Sequence, residues 1–215
     1  MERTFKVIIG VPKEVKTEEY RVGAPPPAVE VLIKAGHQVL VQTTAGDGSG
    51  FADEEYMEAG ASVVETPEEL YDRAEMIYQV KEPIPSEYPL LKKDQIHFRY
   101  LHLAAEEELT HVLMDKGVVA IAFETVELPD GSLPLLSPMS EVAGVLATQI
   151  AACYLWRTRQ GCGKLLGGVT GVLPAKVVIL GAGIVGTVPG ILMRPLSEIK
   201  SGMGIAGNPK LSNSM

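Results

Sequence analysis

Arg21, Lys81 and His102 are the side chains best placed to do chemistry, because each sits where an apolar run ends. Lys81 follows Met76–Val80, His102 follows His97–Leu101, and Arg21 lies in the loop after Lys6–Val11. If those runs are parallel strands, all three residues project into the crevice at the carboxyl edge, where open α/β sheets bind ligands. Arg21 and Lys81 together can hold a carboxylate, the guanidinium through two parallel bonds and the ammonium as a point charge. His102 can then exchange a proton with the bound acid near neutral pH. Taken singly, the plainer roles are commoner: two surface charges, and a half-buried histidine between leucines. Their shared place at strand ends raises the joint case.

A second set of residues points to phosphate. In Lys176–Val177–Val178–Ile179–Leu180–Gly181–Ala182–Gly183–Ile184–Val185–Gly186, a short apolar β-branched run leads into a glycine turn. Gly181 allows the tight turn, Gly183 lets the backbone approach a pyrophosphate, and Gly186 lets the next helix lie close. The phosphates then meet unpaired N–H groups at the helix N-terminus. Pro189 falls in the second turn of that helix, where an interior proline costs about 3 kcal/mol, and Gly190 and Pro195 weaken it further. A ribose-binding acid should end a strand about 20 residues on. Lys200–Ser201–Gly202–Met203–Gly204 stands there instead, and Glu198 has no apolar strand before it. With the chain ending at Met215, the expectation is weak or absent dinucleotide binding by this polypeptide alone.

The elements that must position these groups alternate. Strands are expected at Lys6–Val11, Gln38–Gln42, Met76–Val80, His97–Leu101 and Val118–Phe123, and helices at Ala28–Ala35, Asp53–Ala59, Pro67–Ala74 and Ala105–Lys116. This is an α/β pattern, implying a mainly parallel sheet with right-handed crossovers and flanking helices, Rossmann-like in its first part. Leu128–Pro129–Asp130–Gly131–Ser132 reads as a hairpin turn between two apolar arms. A helix from about Glu141 to Arg157 follows, started by Pro138 and capped by Ser137 or Ser140. It is apolar on nearly every side, which suits a connector buried between domains or subunits. Gly161–Cys162–Gly163–Lys164 resembles half a phosphate loop but lacks the following Ser/Thr and a preceding strand, so it reads as a hinge. The expected plan is a substrate domain over 5–136, connector helix and hinge over 137–172, the start of an incomplete second Rossmann unit over 173–187, and a divergent, disordered tail over 188–215.

The totals exclude several function classes. A net charge of -8 with no Lys/Arg cluster argues against nucleic acid or an anionic membrane as partner. Cys153 and Cys162 have neither C-x-x-C spacing nor a nearby His pair, so no zinc or redox motif is indicated and no metal is expected. Val7–Val11 is too short for a signal peptide, and the apolar stretch Val142–Trp156, about 15 residues with Thr148 and Gln149 inside, falls short of the roughly 20 needed to span a bilayer. A soluble, cytoplasmic protein acting on a small molecule is the expectation.

Taken in order, Ile9–Gly10–Val11–Pro12–Lys13–Glu14 with Arg21–Val22, then Val80–Lys81–Glu82–Pro83, Leu101–His102–Leu103–Ala104–Ala105, Phe123–Glu124–Thr125–Val126, Pro138–Met139–Ser140–Glu141–Val142–Ala143–Gly144 and the glycine run resemble the bacterial L-alanine dehydrogenases over about residues 5–187. The related nicotinamide nucleotide transhydrogenase alpha subunits share the plan but differ in the Lys–Glu–Pro, Leu–His–Leu–Ala–Ala and Phe–Glu–Thr–Val stretches. The resemblance implies that Arg21 and Lys81 bind the carboxylate of alanine or pyruvate and that His102 is the acid–base group. It also implies that Ser140, with Gly181, Gly183 and Gly186, contacts NAD, and that Glu124 lies near the cleft. The implied reaction is oxidative deamination: hydride passes from the alanine α-carbon to the nicotinamide, and water adds to the imine with His102 handling protons.

Three departures from the family pattern stand out. Gly23–Ala24–Pro25–Pro26–Pro27 replaces an Ala–Leu–Thr–Pro-like stretch after Arg21–Val22, Phe123 replaces a frequent Tyr, and Thr170 replaces a proline. After Thr187 the match ends, leaving the ribose-binding acid and the family's catalytic aspartate without counterparts. Three expectations follow: an alanine dehydrogenase completed by a second chain, a non-catalytic remnant that binds small carboxylates or joins intact subunits, or one piece of a split transhydrogenase. The remnant is favoured for the chain as it stands, with a homo-oligomer or a completing chain as partner.

Overall fold

A computed structural model describes residues 6–192, in two compact units divided between Leu135 and Leu136. The first unit is built on six strands, β1 (Ile8–Val11), β2 (Gln38–Gln42), β3 (Ser62–Val64), β4 (Met76–Tyr78), β5 (Ile96–Arg99) and β6 (Val119–Ala122). All pairings are parallel and the spatial order is β3-β2-β1-β4-β5-β6. The α/β expectation holds. β3 was not foreseen, since three residues give too little alternation to read; Gln38–Gln42 forms as expected, and the other four expected strands each lose two residues at their ends, His97–Leu101 also gaining Ile96.

Side-chain alternation splits the core into two layers. Ile9, Val11, Val39 and Val41 face one side of the sheet, packed with Val29 and Tyr56. Those two come from α1 (Pro26–Lys34) and α2 (Asp53–Glu58). Leu40 and Ile77 face the other side, packed with Leu70, Tyr71, Leu109 and Leu113 from α3 (Pro67–Arg73) and α4 (Glu107–Lys116). Each of these buried side chains contributes about 1.5–3 kcal/mol by leaving water. Local signals set the helix ends: Thr66 Oγ1 accepts from the Glu69 N–H at 3.2 Å, and Gly117, at φ 66°, closes α4 in the left-handed conformation.

The strand order decides where a site can form. From β1 the chain winds outward to β2 and β3, then returns to the other flank of β1 for β4, β5 and β6, so the crossover direction reverses between β1 and β4. At such a switch point the loops leaving the two strands diverge and open a crevice at their carboxyl ends. Arg21 lies on the loop after β1 and Lys81 just beyond β4.

Gly23–Ala24–Pro25–Pro26–Pro27 ties the Arg21 loop down. Pro25 and Pro26 start α1, and Ala24 is buried. A Cβ on Gly23 would lie 2.4 Å from the Tyr78 carbonyl oxygen at the end of β4. Because the obstacle is backbone, Gly23→Ala is expected to push the Arg21 loop away from β4 and cost about 1–3 kcal/mol; an unchanged urea midpoint would show that the loop is not pressed against the strand.

Leu128–Ser132 forms a turn closed by the Leu128 N–H to Ser132 carbonyl bond at 2.9 Å. The expected hairpin is absent, since no strand is formed on either side of that turn.

The second unit contains α5 (Ser137–Tyr154) and α6 (Ile184–Leu192), which pack on each other. Contrary to expectation, neither serine caps α5. Leu136 is the N-cap without a side-chain bond, because Ser137 and Ser140 already lie inside the first turn and the Ser140 N–H bonds to the Leu136 carbonyl at 3.1 Å. In the single chain α5 presents Val142, Val145, Leu146, Ile150 and Tyr154 at its surface.

Val177–Leu180 is not a strand, for no neighbouring segment among the described residues pairs with it and an extended run needs a ladder partner. α6, by contrast, passes through Val188, Pro189 and Gly190 where the sequence argues against a helix or an ordered tail. Proline there removes one internal bond, and packing against α5 outweighs local preference. Pro195, Glu198 and Lys200–Gly204 lie outside the described residues.

Candidate active site

In the first unit, a cleft of about 410 Å³ opens at the carboxyl edge between Arg21, Val22, Pro25, Tyr78, Val80, Tyr100 and Phe123. Arg21 forms part of its wall. Lys81 and His102 are not lining residues; Val80, which precedes Lys81, and Tyr100, which stacks on His102, are. The three residues thus come from loops after β1, β4 and β5 at one edge of the sheet.

Each is oriented by a neighbour. Glu19, whose side chain is almost fully buried, accepts from Arg21 Nε at 2.7 Å and Nη2 at 2.6 Å. This charge-assisted fork lowers the pKa of Glu19 and raises that of Arg21. One edge of the guanidinium is therefore already engaged, which the sequence did not foresee. Among the described residues the Lys81 ammonium makes no hydrogen bond or ion pair. Its backbone is held at both ends: the Lys81 N–H donates to Glu14 Oε2 at 3.4 Å, and the Lys81 carbonyl accepts from Arg99 Nε at 2.5 Å.

His102 is exposed and stacks on Tyr100, with centroids 5.9 Å apart and planes 7° from parallel. Its φ of 51° is left-handed, which a side chain adopts only when its surroundings hold it. Glu124 supplies the hold: Oε1 accepts from the His102 N–H at 2.7 Å and from the Leu101 N–H at 3.2 Å. Tyr100 is fixed in turn by its hydroxyl, which donates to the Leu135 carbonyl at 2.6 Å.

Beneath the rim lies a polar layer of Glu14, Tyr71, Gln79, Glu87, Gln95, His97 and Arg99. Arg99 is fully buried and reaches Glu87 Oε1 and the Tyr71 hydroxyl, each at 3.4 Å. Burial pushes Glu14 up to about 7 against the Val80 N–H and the Arg99 charge. Burial, then Arg99, pushes His97 down to about 3. Gln95 spends its amide N–H groups on the Tyr71 and Ala74 carbonyls, so its Oε1 must accept from His97 Nε2, and His97 is a neutral structural residue whose Nδ1 has no partner. Sequence reasoning missed Tyr100, Glu19, Glu14 and Arg99 as contributors. Glu14 carries the one available signal, as an acid inside the Val11–Pro12–Lys13–Glu14 stretch directly after β1.

In the second unit, Ser140 and Ala147 of α5, Val178–Gly181 and Gly183–Gly186 line one cleft of about 540 Å³. It brings together Ser140, Gly181, Gly183 and Gly186. The glycines suit a phosphate turn: Gly181 has φ 102°, a Cβ on Gly186 would lie 2.2 Å from the Gly181 carbonyl oxygen, and one on Gly183 would meet nothing within 4 Å. Among the described residues no group of three His, Cys, Asp or Glu side chains can hold a metal, and no helix is long and apolar enough to cross a membrane.

Comparison with known proteins agrees with this layout. Residues 10–143 match the family described as "Alanine dehydrogenase/PNT, N-terminal domain" and residues 147–190 its C-terminal domain. The chain is 55% identical to an alanine dehydrogenase of Methanococcus maripaludis over 84% of its own length and 48% of that protein's. For one of Staphylococcus epidermidis the identity is 53%, over 83% of this chain and 48% of that protein. A solved L-alanine dehydrogenase superposes with TM-score 0.81 at 55% identity, over 86% of this chain and 51% of that one. The transhydrogenase from Sinorhizobium meliloti superposes at 0.68 with 27% identity, over 84% and 51%. The chain spans about half the length of the curated relatives it matches. From its matched domains and its parallel sheet, the chain belongs to the alanine dehydrogenase/PNT family.

Proposed function

We propose that the first unit binds a small α-amino or α-keto acid, alanine or pyruvate, as the substrate side of an NAD-dependent alanine dehydrogenase. The observation that carries this is the convergence of Arg21, Lys81 and His102 from β1, β4 and β5 on one sheet edge around a cleft. The relatives' identity favours alanine dehydrogenase over transhydrogenase, at 55% against 27%.

In this reading the Lys81 ammonium, which makes no hydrogen bond among the described residues but feels the charges of Glu19 and Glu82, and the Arg21 guanidinium, aligned by Glu19, hold the substrate carboxylate. That contact fixes the α-carbon relative to His102. The chemistry that NAD would supply when bound is acceptance of the hydride from the alanine α-carbon. The His102 imidazole then takes a proton from the water that adds to the C=N bond and returns it to the departing nitrogen, giving pyruvate and ammonia. Tyr100 stacks behind the ring and Glu124 fixes the backbone, so the imidazole meets the substrate in one orientation. Ser140 and the turn Gly181–Gly183–Gly186 are the residues that fit the dinucleotide phosphates.

Titration of the 215-residue chain with pyruvate, followed by NMR, tests the acid-binding half. Arg21→Ala and Lys81→Ala are each expected to weaken binding about 10- to 100-fold, the loss of one charge-assisted bond. Pyruvate that binds the variants as tightly as the parent would remove the assignment.

A further inference from the structure

We infer that Glu14 is a positioning residue for Lys81, fixing its ammonium at the mouth of the cleft by clamping the peptide units on which it stands; this rests on the acid-binding reading above. Lys81 lies beyond the last paired residue of β4, Tyr78, and just past the last backbone bonds to the β5 segment, which involve Gln79 and Val80. Other groups take over. Glu14 Oε1 accepts from the Val80 N–H at 2.7 Å, and Oε2 from the Lys81 N–H at 3.4 Å and from Gln79 Nε2 at 3.5 Å. On the far side, Arg99 Nε donates to the Lys81 carbonyl, and the Tyr100 N–H donates to the Val80 carbonyl at 3.0 Å. One carboxylate from the loop after β1 and the end of β5 with the residue after it thus grip three consecutive peptide units between them.

The arrangement has a reason in the chemistry of lysine. An ammonium on a flexible stem is a poor positioning device, because its side-chain freedom must be lost on binding. Holding the backbone at both ends of residue 81 leaves the rotamers of the stem free but keeps backbone motion from adding to them. It also links the three loops, since Glu14 precedes Arg21 on the β1 loop and Arg99 precedes His102 beyond β5. Two consecutive amides aimed at one carboxylate need acceptors at both oxygens. An isosteric amide offers one, and its NH₂ group then faces either the Val80 N–H or the Lys81 and Gln79 donors.

The test is a double-mutant cycle on the full 215-residue chain at about pH 8, where Glu14 is mostly ionised, with pyruvate as the probe and binding followed by NMR. The variants are Glu14→Gln, Lys81→Ala and both together, with urea unfolding and backbone amide exchange to confirm that each is folded. Glu14→Gln is expected to speed exchange at Val80 and Lys81 at least tenfold while leaving Val11 and Val41 protected. It should also weaken pyruvate binding about tenfold, but have no further effect once Lys81 is Ala. A purely structural glutamate would weaken binding equally in both backgrounds, and that result overturns the assignment. Undiminished pyruvate binding by Glu14→Gln overturns it too, leaving the acid-binding reading intact. If pyruvate fails to bind the parent chain, the acid-binding reading falls and takes the role of Lys81 with it. If Glu14→Gln does not fold, Glu14→Asp, whose carboxylate is one methylene too short to reach both amides, takes its place; a pyruvate affinity equal to the parent's then overturns the clamp.

Discussion

Arg99→Met is expected to destabilise the protein by about 3–5 kcal/mol, the cost of leaving a buried charge without its partner. Arg99 is fully buried and serves the Lys81 carbonyl, the Tyr71 hydroxyl and Glu87 together. Methionine fills much of the volume but supplies no donor. Glu87, itself buried, then keeps only the Tyr71 hydroxyl at 3.0 Å, Gln79 Nε2 at 3.2 Å and the Ile84 N–H at 3.1 Å. Because most of the loss is the orphaned carboxylate rather than the missing attraction, Glu87→Gln in the same chain is expected to recover part of it. Urea unfolding of the two single variants and the double variant measures both quantities. A loss below about 1 kcal/mol for Arg99→Met, the usual worth of an exposed ion pair, would mean that the layer is wetter than its burial implies.

The second large effect is a dependence on acid. His97 titrates at about 3 in the fold, chiefly because burial disfavours the imidazolium and secondarily because Arg99 repels it. Unfolded histidine takes its proton near pH 6.5. Between those values the unfolded chain binds the proton and the folded one does not, so stability falls as pH drops from about 6.5 toward 3. By pH 4 the loss from this group is about 3 kcal/mol.

Glu14 works in the opposite direction. Its folded value of about 7 lies above the usual carboxyl value of 4.5, so it withdraws stability as pH rises from about 4.5 to 7. Its contribution is common to parent and variant and cancels in their difference. His97→Gln keeps a donor for Gln95 Oε1 and cannot be charged. Its urea midpoint, below the parent's at pH 7, is expected to approach or pass it by pH 4. Parallel curves across that range would show that His97 reaches water.

The residues differ in how far they could be read before folding. Arg21, Lys81 and His102 stand out because each follows an apolar run, and a β-strand's carboxyl end is a place that periodicity alone can locate. Gly181, Gly183 and Gly186 are legible for a similar reason: their spacing is a local backbone requirement, and Gly186 is needed because a Cβ would strike the Gly181 carbonyl only five residues away. Glu14, Glu19, Arg99 and Tyr100 carry no such mark. Glu14 reaches Val80 across 66 positions of sequence, and Arg99 reaches Lys81 across 18. Their partners are chosen by which strands lie side by side.

The same division separates the readings that held from those that did not. Apolar period and turn chemistry determined the parallel α/β plan and most strand and helix positions, since these follow from forces acting within a few residues. Tertiary structure alone decided that β1 and β4 flank the switch point, that Glu124 holds His102 in a left-handed conformation, and that α6 continues through Pro189. It also decided that Val177–Leu180 forms no strand among the described residues. In each case the deciding energy is a hydrogen bond or packed surface between segments distant in the chain, which no local preference encodes.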